Sequence, residues 1–333
     1  MCMFTFPEQS LVESKKLPLT LISLEKWGLV NIYGSDRVRY LHSQVTLDVH
    51  NLLKTQYGYA AHCNASGKMW SNICLFHRGH QITYIERRSL RDQQLHELKK
   101  YAIFSNVMLS LDDEFTLLGV AGAQSRNALK KIFDLLPNAM SPVIQQENST
   151  ILWFPQPIER FILVVQKQNA PLIIENFKNK AQFNNSQQWM LMDIESGIPI
   201  IDLETSGRFL PQATNLQALG AINFKKGCYI GQEVISRSTF RNTNQRALYW
   251  LSGTAIKIPK TNDALEIKIN DHWKRTGIIL AVCQINPHKI WVQAILNKNL
   301  TPNQVLRVYG DKDSQLKIKK LPYNIHSITL HPH

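Results

Sequence analysis

Between Gly197 and Arg237 the chain carries Gly, Pro, Gln and Asn in place of any sustained apolar period, and this break constrains the fold more than any other feature. A compact protein rarely contains so long an irregular stretch unless that stretch does something other than pack. The break also separates two kinds of pattern. Before it, helix-like and strand-like periods alternate; after it, short strand-like runs recur. The chain therefore reads as α+β, a mixed first part followed by a small antiparallel β-barrel.

Residues 30–33 read as a strand, and Gly34-Ser35-Asp36 turns the chain into a helix with Val38, Leu41 and Val45 on one face and a Ser or Asp N-cap. Residues 57–63 and 69–76 form a hairpin about Asn64-Ala65-Ser66-Gly67, 81–86 add a third strand, and 89–102 are helical. A second unit has strands at 115–120, 151–154 and 160–165 and helices at 125–136 and 171–180, an order that suggests a ferredoxin-like lobe. A helix over 185–195, capped by Asn185 or Ser186, stops at Gly197-Ile198-Pro199. Strand-like runs at 247–253, 265–269, 276–282, 290–295 and 305–309 make up the expected barrel.

At 333 residues and 44% hydrophobic content the chain supports two or three domains. Lys and Arg outnumber Asp and Glu by 38 to 25, a net charge of +13, which favours anionic partners without naming one. The five cysteines, Cys2, Cys63, Cys74, Cys228 and Cys283, are scattered and lack zinc-ligand spacing, so no metal site is expected; free thiols suit a reducing compartment. Residues 1–16 have no apolar core of a secretory signal, and no run reaches the ~18 apolar residues of a membrane span, so a cytoplasmic, membrane-free protein is expected. Phosphate-loop, dinucleotide, zinc-protease and serine-hydrolase motifs are absent from the sequence, which removes those chemistries.

Within the irregular segment, Lys226-Gly227-Cys228-Tyr229-Ile230-Gly231-Gln232-Glu233 packs a thiol, two glycines, an amide and a carboxylate into eight residues, with Arg237 just downstream. Glycines allow tight turns and close approach, and neighbouring cations favour a thiolate. Cys228 alone is as readily a small buried hydrophobe as a redox or nucleophilic group. If Gly231 opens a helix, Glu233 falls in its first turn, where a carboxylate is equally at home as an ordinary helix charge or, with Gln232, as a ligand contact. Trp27 and Trp189 read, on the residues alone, as core.

The octet resembles the signature of the YgfZ-type folate-binding family, relatives of the glycine cleavage aminomethyltransferase. The similarity extends through Gln44–Val49, Gly67–Asn72, 98–102, 184–189, 197–199 and 209–220 to Phe240-Arg241, and covers about residues 17–323. The resemblance implies an aminomethyltransferase-like fold: a folate-binding lobe of 17–114 with 185–244 carrying the octet, a ferredoxin-like lobe of 115–184, and a C-terminal barrel of 245–326. It implies that Trp27 and Trp189 contact the folate, tetrahydrofolate or a derivative. It implies iron–sulfur client proteins as partners and a link to tRNA modification in which tRNA contact is allowed but not required. In the aminomethyltransferase relative an acidic pair supplies the catalytic carboxylate, whereas Ser71-Asn72 stand here and cannot act as a carboxylate base. An accessory role without catalysis is the preferred expectation. A folate-dependent one-carbon transferase and a direct tRNA-binding protein are the alternatives.

Overall fold

The computed structural model describes residues 4–146 and 149–325; Cys2 and His326, the last residue of the expected barrel, lie outside them. The first part forms two sheets. Strands β1 (Thr20–Ser23) and β2 (Trp27–Tyr33) precede helix α1 (Arg37–Gln44). β3 (Tyr57–Cys63), β4 (Met69–Arg78) and β5 (Gln81–Arg87) form a meander, and α2 (Arg91–Lys99) leads to β6 (Met108–Asp112). β3-β4-β5-β2-β6 make an antiparallel sheet. One face, with Val30, Ile32, Ile73, Leu75 and Tyr84, packs on Leu41 of α1 and Leu95 and Leu98 of α2.

The second unit comprises β7 (Phe115–Ala121), α3 (Ser125–Leu129), β8 (Val143–Gln146), β9 (Ser149–Phe154), β10 (Arg160–Gln166), α4 (Ala170–Phe177) and β11 (Gln182–Asn184). Its sheet runs β11-β1-β7-β10-β9-β8, so β1 lies in this sheet, antiparallel to β7 and parallel to β11. The helix expected over 125–136 ends at Leu129. Three-residue turn bonds take over at Lys131 and Ile132, and Phe133 still reaches the core from these turns.

Helix α5 (Ser186–Ser196) starts where the Asn185 side chain accepts from the Gln187 amide at 3.0 Å and ends at Gly197, whose φ of 67° no β-carbon residue adopts readily. The irregular segment follows, then α6 (Gln232–Phe240). β12 (Arg246–Thr254), β13 (Ala264–Ile269), β14 (His272–Asn286), β15 (Lys289–Asn297), β16 (Leu306–Val308) and β17 (Gln315–Lys319) close into a barrel in the order β12-β15-β14-β13-β16-β17. Among the described residues no helix is long and apolar enough to cross a membrane. One core cluster joins both sheets, α5 and the barrel, through Trp27, Cys74 and Ile85 on one side, Leu117 and Phe154 on another, Trp189 on α5, and Ala281 and Trp291 from the barrel.

Candidate functional site

Where that shared core is not filled, a cleft opens, lined by Trp27, Tyr59, Asn72, Arg87, Phe154, Arg160, Trp189 and Asp193 among others. Strand alternation selects the lining. On β4, Asn72 and Cys74 face the cleft cluster while Ile73 and Leu75 face the helices. Trp27 of β2 is in register with Arg87 of β5, which sets the Arg87 guanidinium 4.5 Å from the indole centroid. Arg160 of β10 is fully buried and lies 4.3 Å from the Trp189 ring. Both expected tryptophans therefore share one cleft, each beneath an arginine.

Each arginine is neutralised. Arg160 Nη2 donates to Asp193 Oδ1 at 2.7 Å and Nε to the Gln156 carbonyl at 2.8 Å. Arg87 forks onto Asp202, with Nη2 at 2.9 Å and Nε at 3.1 Å. Burial raises the Asp193 carboxyl above its ordinary range although Arg160 opposes it; for Asp202 the Arg87 charge prevails and the pKa falls. Asn72 Nδ2 donates to the Pro199 carbonyl at 2.8 Å. In this lining Nη1 of Arg87, Nη1 of Arg160, Oδ1 of Asn72 and both carboxyl oxygens of Glu86 have no partner. A flat heteroaromatic ring with polar edges, such as a pterin, fits this set, since indole faces stack on it and the orphaned atoms match its edge.

The two residues at the relatives' acidic-pair position point apart. Asn72 faces the cleft, while Ser71 is fully buried on the helix side near Glu86. Glu86 itself is 2% exposed, neither oxygen makes a hydrogen bond of ordinary geometry, and burial pushes its carboxyl up to about 8 against the opposing Ser71 hydroxyl and Arg91 charge.

The octet forms a loop docked on the end of α1. Lys226 does not stand beside the thiol as an activating cation; its Nζ turns inward and donates to the carbonyls of His42, Val45 and Leu47 at 2.5, 2.6 and 2.7 Å. A cation at a helix C-terminus meets carbonyls that lack helical partners. Burial draws its pKa down to about 7. Tyr229 is buried beneath this ammonium, 4.9 Å from ring centre to Nζ. Gly231 has φ 80°, and a β-carbon there would meet the Asn64 carbonyl oxygen at 2.6 Å. This contact explains the glycine: the loop rides directly on the β3–β4 hairpin. Gly227 shows neither a left-handed φ nor a close neighbour, so only one of the two glycines serves a tight approach.

Gly231 is the N-cap of α6, and Gln232 Nε2 closes the loop onto the Lys226 carbonyl at 3.4 Å. Glu233 lies in the first turn, exposed, 3.5 Å from Arg237; an exposed pair of this kind contributes little. Cys228 is exposed, unlike Cys63, Cys74 and Cys283, whose thiols are buried with pKa values pushed up. His42 reaches the loop from α1, its Nε2 3.8 Å from the place a β-carbon on Gly227 would take. Sequence reasoning missed His42, Arg160, Asp193 and the cleft role of Asn72 and Arg87, because residues on strands and helices far apart in the chain show no shared spacing.

A second concavity lies between the hairpin, α6 and the barrel. Lys68, Arg208, Arg237, Arg246, Lys274 and Arg275 line it, and no carboxylate does. Arg237 and Arg246 bound a basic stretch of the sequence at the end of the irregular segment. Arg87 is spent on Asp202, and Arg88 and Arg91 on Asp113.

The fold is aminomethyltransferase-like. The structure is similar to glycine cleavage system aminomethyltransferase T from Bartonella henselae, with a TM-score of 0.73 and 14% identity over 92% of this chain and 86% of that one. Residues 244–311, within the barrel region, match the family described as YgfZ, beta-barrel domain. The proteins named tRNA-modifying protein YgfZ from Yersinia enterocolitica and Yersinia pseudotuberculosis are each 50% identical over 96% of this chain and 97% of their own length. The chain belongs to the YgfZ family.

Proposed function

We propose that this protein binds a reduced folate in the cleft and acts as an accessory factor for iron–sulfur enzymes, and through them in tRNA modification. The observation that carries the reading is the convergence of Trp27 and Trp189 on one cleft that also holds unpartnered polar atoms of Arg87, Arg160 and Asn72. Trp27 and Trp189 would hold the ring by stacking, with Arg87, Arg160 and Asn72 at its edge. Bound there, the folate supplies a one-carbon carrier. The protein supplies no free carboxylate base at the acidic-pair position, since Asn72 is neutral and the nearby Asp193 is tied to Arg160. That supports an accessory role over one-carbon transfer by the relatives' route. The names of the Yersinia relatives support the tie to tRNA modification. The exposed Cys228, on a loop fixed by Lys226 and Gly231, is the group open to a client protein.

The test is complementation of a strain lacking this protein. Wild type restores iron–sulfur enzyme activity and tRNA thiomodification, and Cys228→Ser restores neither. Full rescue by Cys228→Ser removes the thiol from the account.

The six-cation groove favours one further reading, direct contact with RNA. Binding through it would fall steeply with salt, with a log–log slope of about −4 to −5 if all six cations meet phosphates. A slope near zero, or no binding of tRNA, rejects it.

A further inference from the structure

The basic groove between the β3–β4 hairpin, α6 and the barrel has two layers. Arg208, Arg237, Arg246, Lys274 and Arg275 are exposed and Lys68 is half-buried, so the cations form its rim. The apolar lining lies deeper: Phe209, Leu210, Val234 and Ile278 are half-buried, and Ala213 and Ile295 are buried. The rim charge is not spent within the protein. Elsewhere arginines are paired, Arg78 with Asp112, Arg126 with Glu159 and Arg307 with Glu266. Among the described residues, Arg237 alone of the six rim cations has a carboxylate partner, the exposed Glu233 at 3.5 Å. Like charges held together repel one another, and a bound anion relieves that repulsion.

The shape of the groove suits a row of anions more than a single one. Its volume of about 1020 Å³ reaches the upper limit of pockets that hold one small molecule, about 300–1,000 Å³. Its cations come from the hairpin, the segment after α5, α6, β12 and β14. The layering then separates a single strand from a duplex. A duplex keeps its bases stacked inside and would leave the apolar floor uncovered. A single strand can lay its phosphates on the rim and turn its bases onto the floor. Two aromatic rings are placed for such bases. Phe209 lines the groove, on a segment held to the hairpin by the Met69 amide donating to the Phe209 carbonyl and the Gly207 amide to the Met69 carbonyl, both at 2.8 Å. Tyr309 is 56% exposed, and its ring centre lies 5.0 Å from the guanidinium of the rim residue Arg275.

We propose that this groove binds single-stranded RNA, with phosphates on the six rim cations and bases stacked on Phe209 and Tyr309. This rests on the reading that the groove contacts RNA, and it names the form of RNA held there as an unpaired segment and not a helix.

The test is fluorescence anisotropy of the full-length protein with a labelled oligouridylate of about 12 nucleotides and with an RNA duplex of the same length, over a range of KCl concentrations. The expected result is a strand bound about tenfold or more tighter than the duplex, with a log–log salt slope of about −4 if all six cations meet phosphates. Equal or tighter binding of the duplex overturns the single-strand inference while leaving the RNA reading standing. Binding of neither overturns both. Tyr309→Leu changes an exposed site and Phe209→Leu keeps an apolar side chain in the lining; each should weaken strand binding about tenfold and leave the salt slope unchanged. Wild-type affinity in both variants overturns the stacking. Polyglutamate that displaces the strand as effectively, charge for charge, as unlabelled oligouridylate overturns the inference in favour of an acidic protein segment.

Discussion

Glu86→Gln should stabilise the protein, and do so mainly at neutral and alkaline pH. The carboxyl sits on β5 between the sheet and α2, 2% exposed, with neither oxygen in a good hydrogen bond. Burial moves its pKa from 4.5 to about 8. Between those values the folded chain keeps a proton that the unfolded chain has released, so stability falls as pH rises through the window. At pH 7 the gap of about 2.5 units corresponds to roughly 3 kcal/mol, and by pH 8 it exceeds that, at about 1.36 kcal/mol per unit. Gln keeps the neutral shape and has no proton to lose. Urea unfolding of wild type and Glu86→Gln at pH 5, 6.5 and 8 should give a variant advantage under about 1 kcal/mol at pH 5 that grows to about 4 kcal/mol at pH 8. A stability difference that does not change with pH would refute the reasoning, and a variant less stable at pH 8 would show that the carboxylate has a compensating partner.

The remaining predictions concern the other buried polar groups. Burial draws His62 down to about 3, so the unfolded chain alone takes up its proton below about pH 6.5, and stability should fall by about 2 kcal/mol between pH 7 and 5 from this group; His62→Gln should flatten that slope in the same unfolding series. Lys226→Met strips donors from three carbonyls and should cost about 2–4 kcal/mol, seen as a lower melting temperature and faster proteolysis at the loop; a loss under about 1 kcal/mol would contradict the pinning role. Asp193→Ala leaves the fully buried Arg160 without its counter-charge and should cost about 3–5 kcal/mol, while Asp193→Leu combined with Arg160→Met should recover much of it in denaturant melts.

Local pattern made much of the fold legible. The Asn64–Gly67 turn, the Asn185 cap and the Gly197 stop each sit where a single residue type satisfies a local backbone demand. The barrel strands β12 to β16 were legible as short apolar runs, while β17, with Gln315 and the exposed Lys317 and Lys319, was hidden by its polar outer face. β1 and β11 are four and three residues long, too short to show a period, and their pairing depends on chain that is distant in sequence. At the site, the octet was visible because its composition is unlike any packing element. Lys226 was misjudged there: its neighbour in sequence is Cys228, but its neighbours in space are the carbonyls that end α1. Arg160 and Asp193 gave no signal, since a lone arginine in an apolar strand and an aspartate in an apolar helix become a pair only once the sheet and α5 are packed together.

The central claim is that the cleft between Trp27 and Trp189 is a folate site. Titration of tetrahydrofolate into the wild-type protein and into Trp27→Leu, each checked for an unchanged fold by circular dichroism, addresses it most directly. The account predicts one saturable site per chain in the wild type and affinity at least tenfold weaker in the variant, the loss of one stacking face being worth about 1–2 kcal/mol. Absence of binding by the wild type, or equal binding by a folded Trp27→Leu, would contradict it.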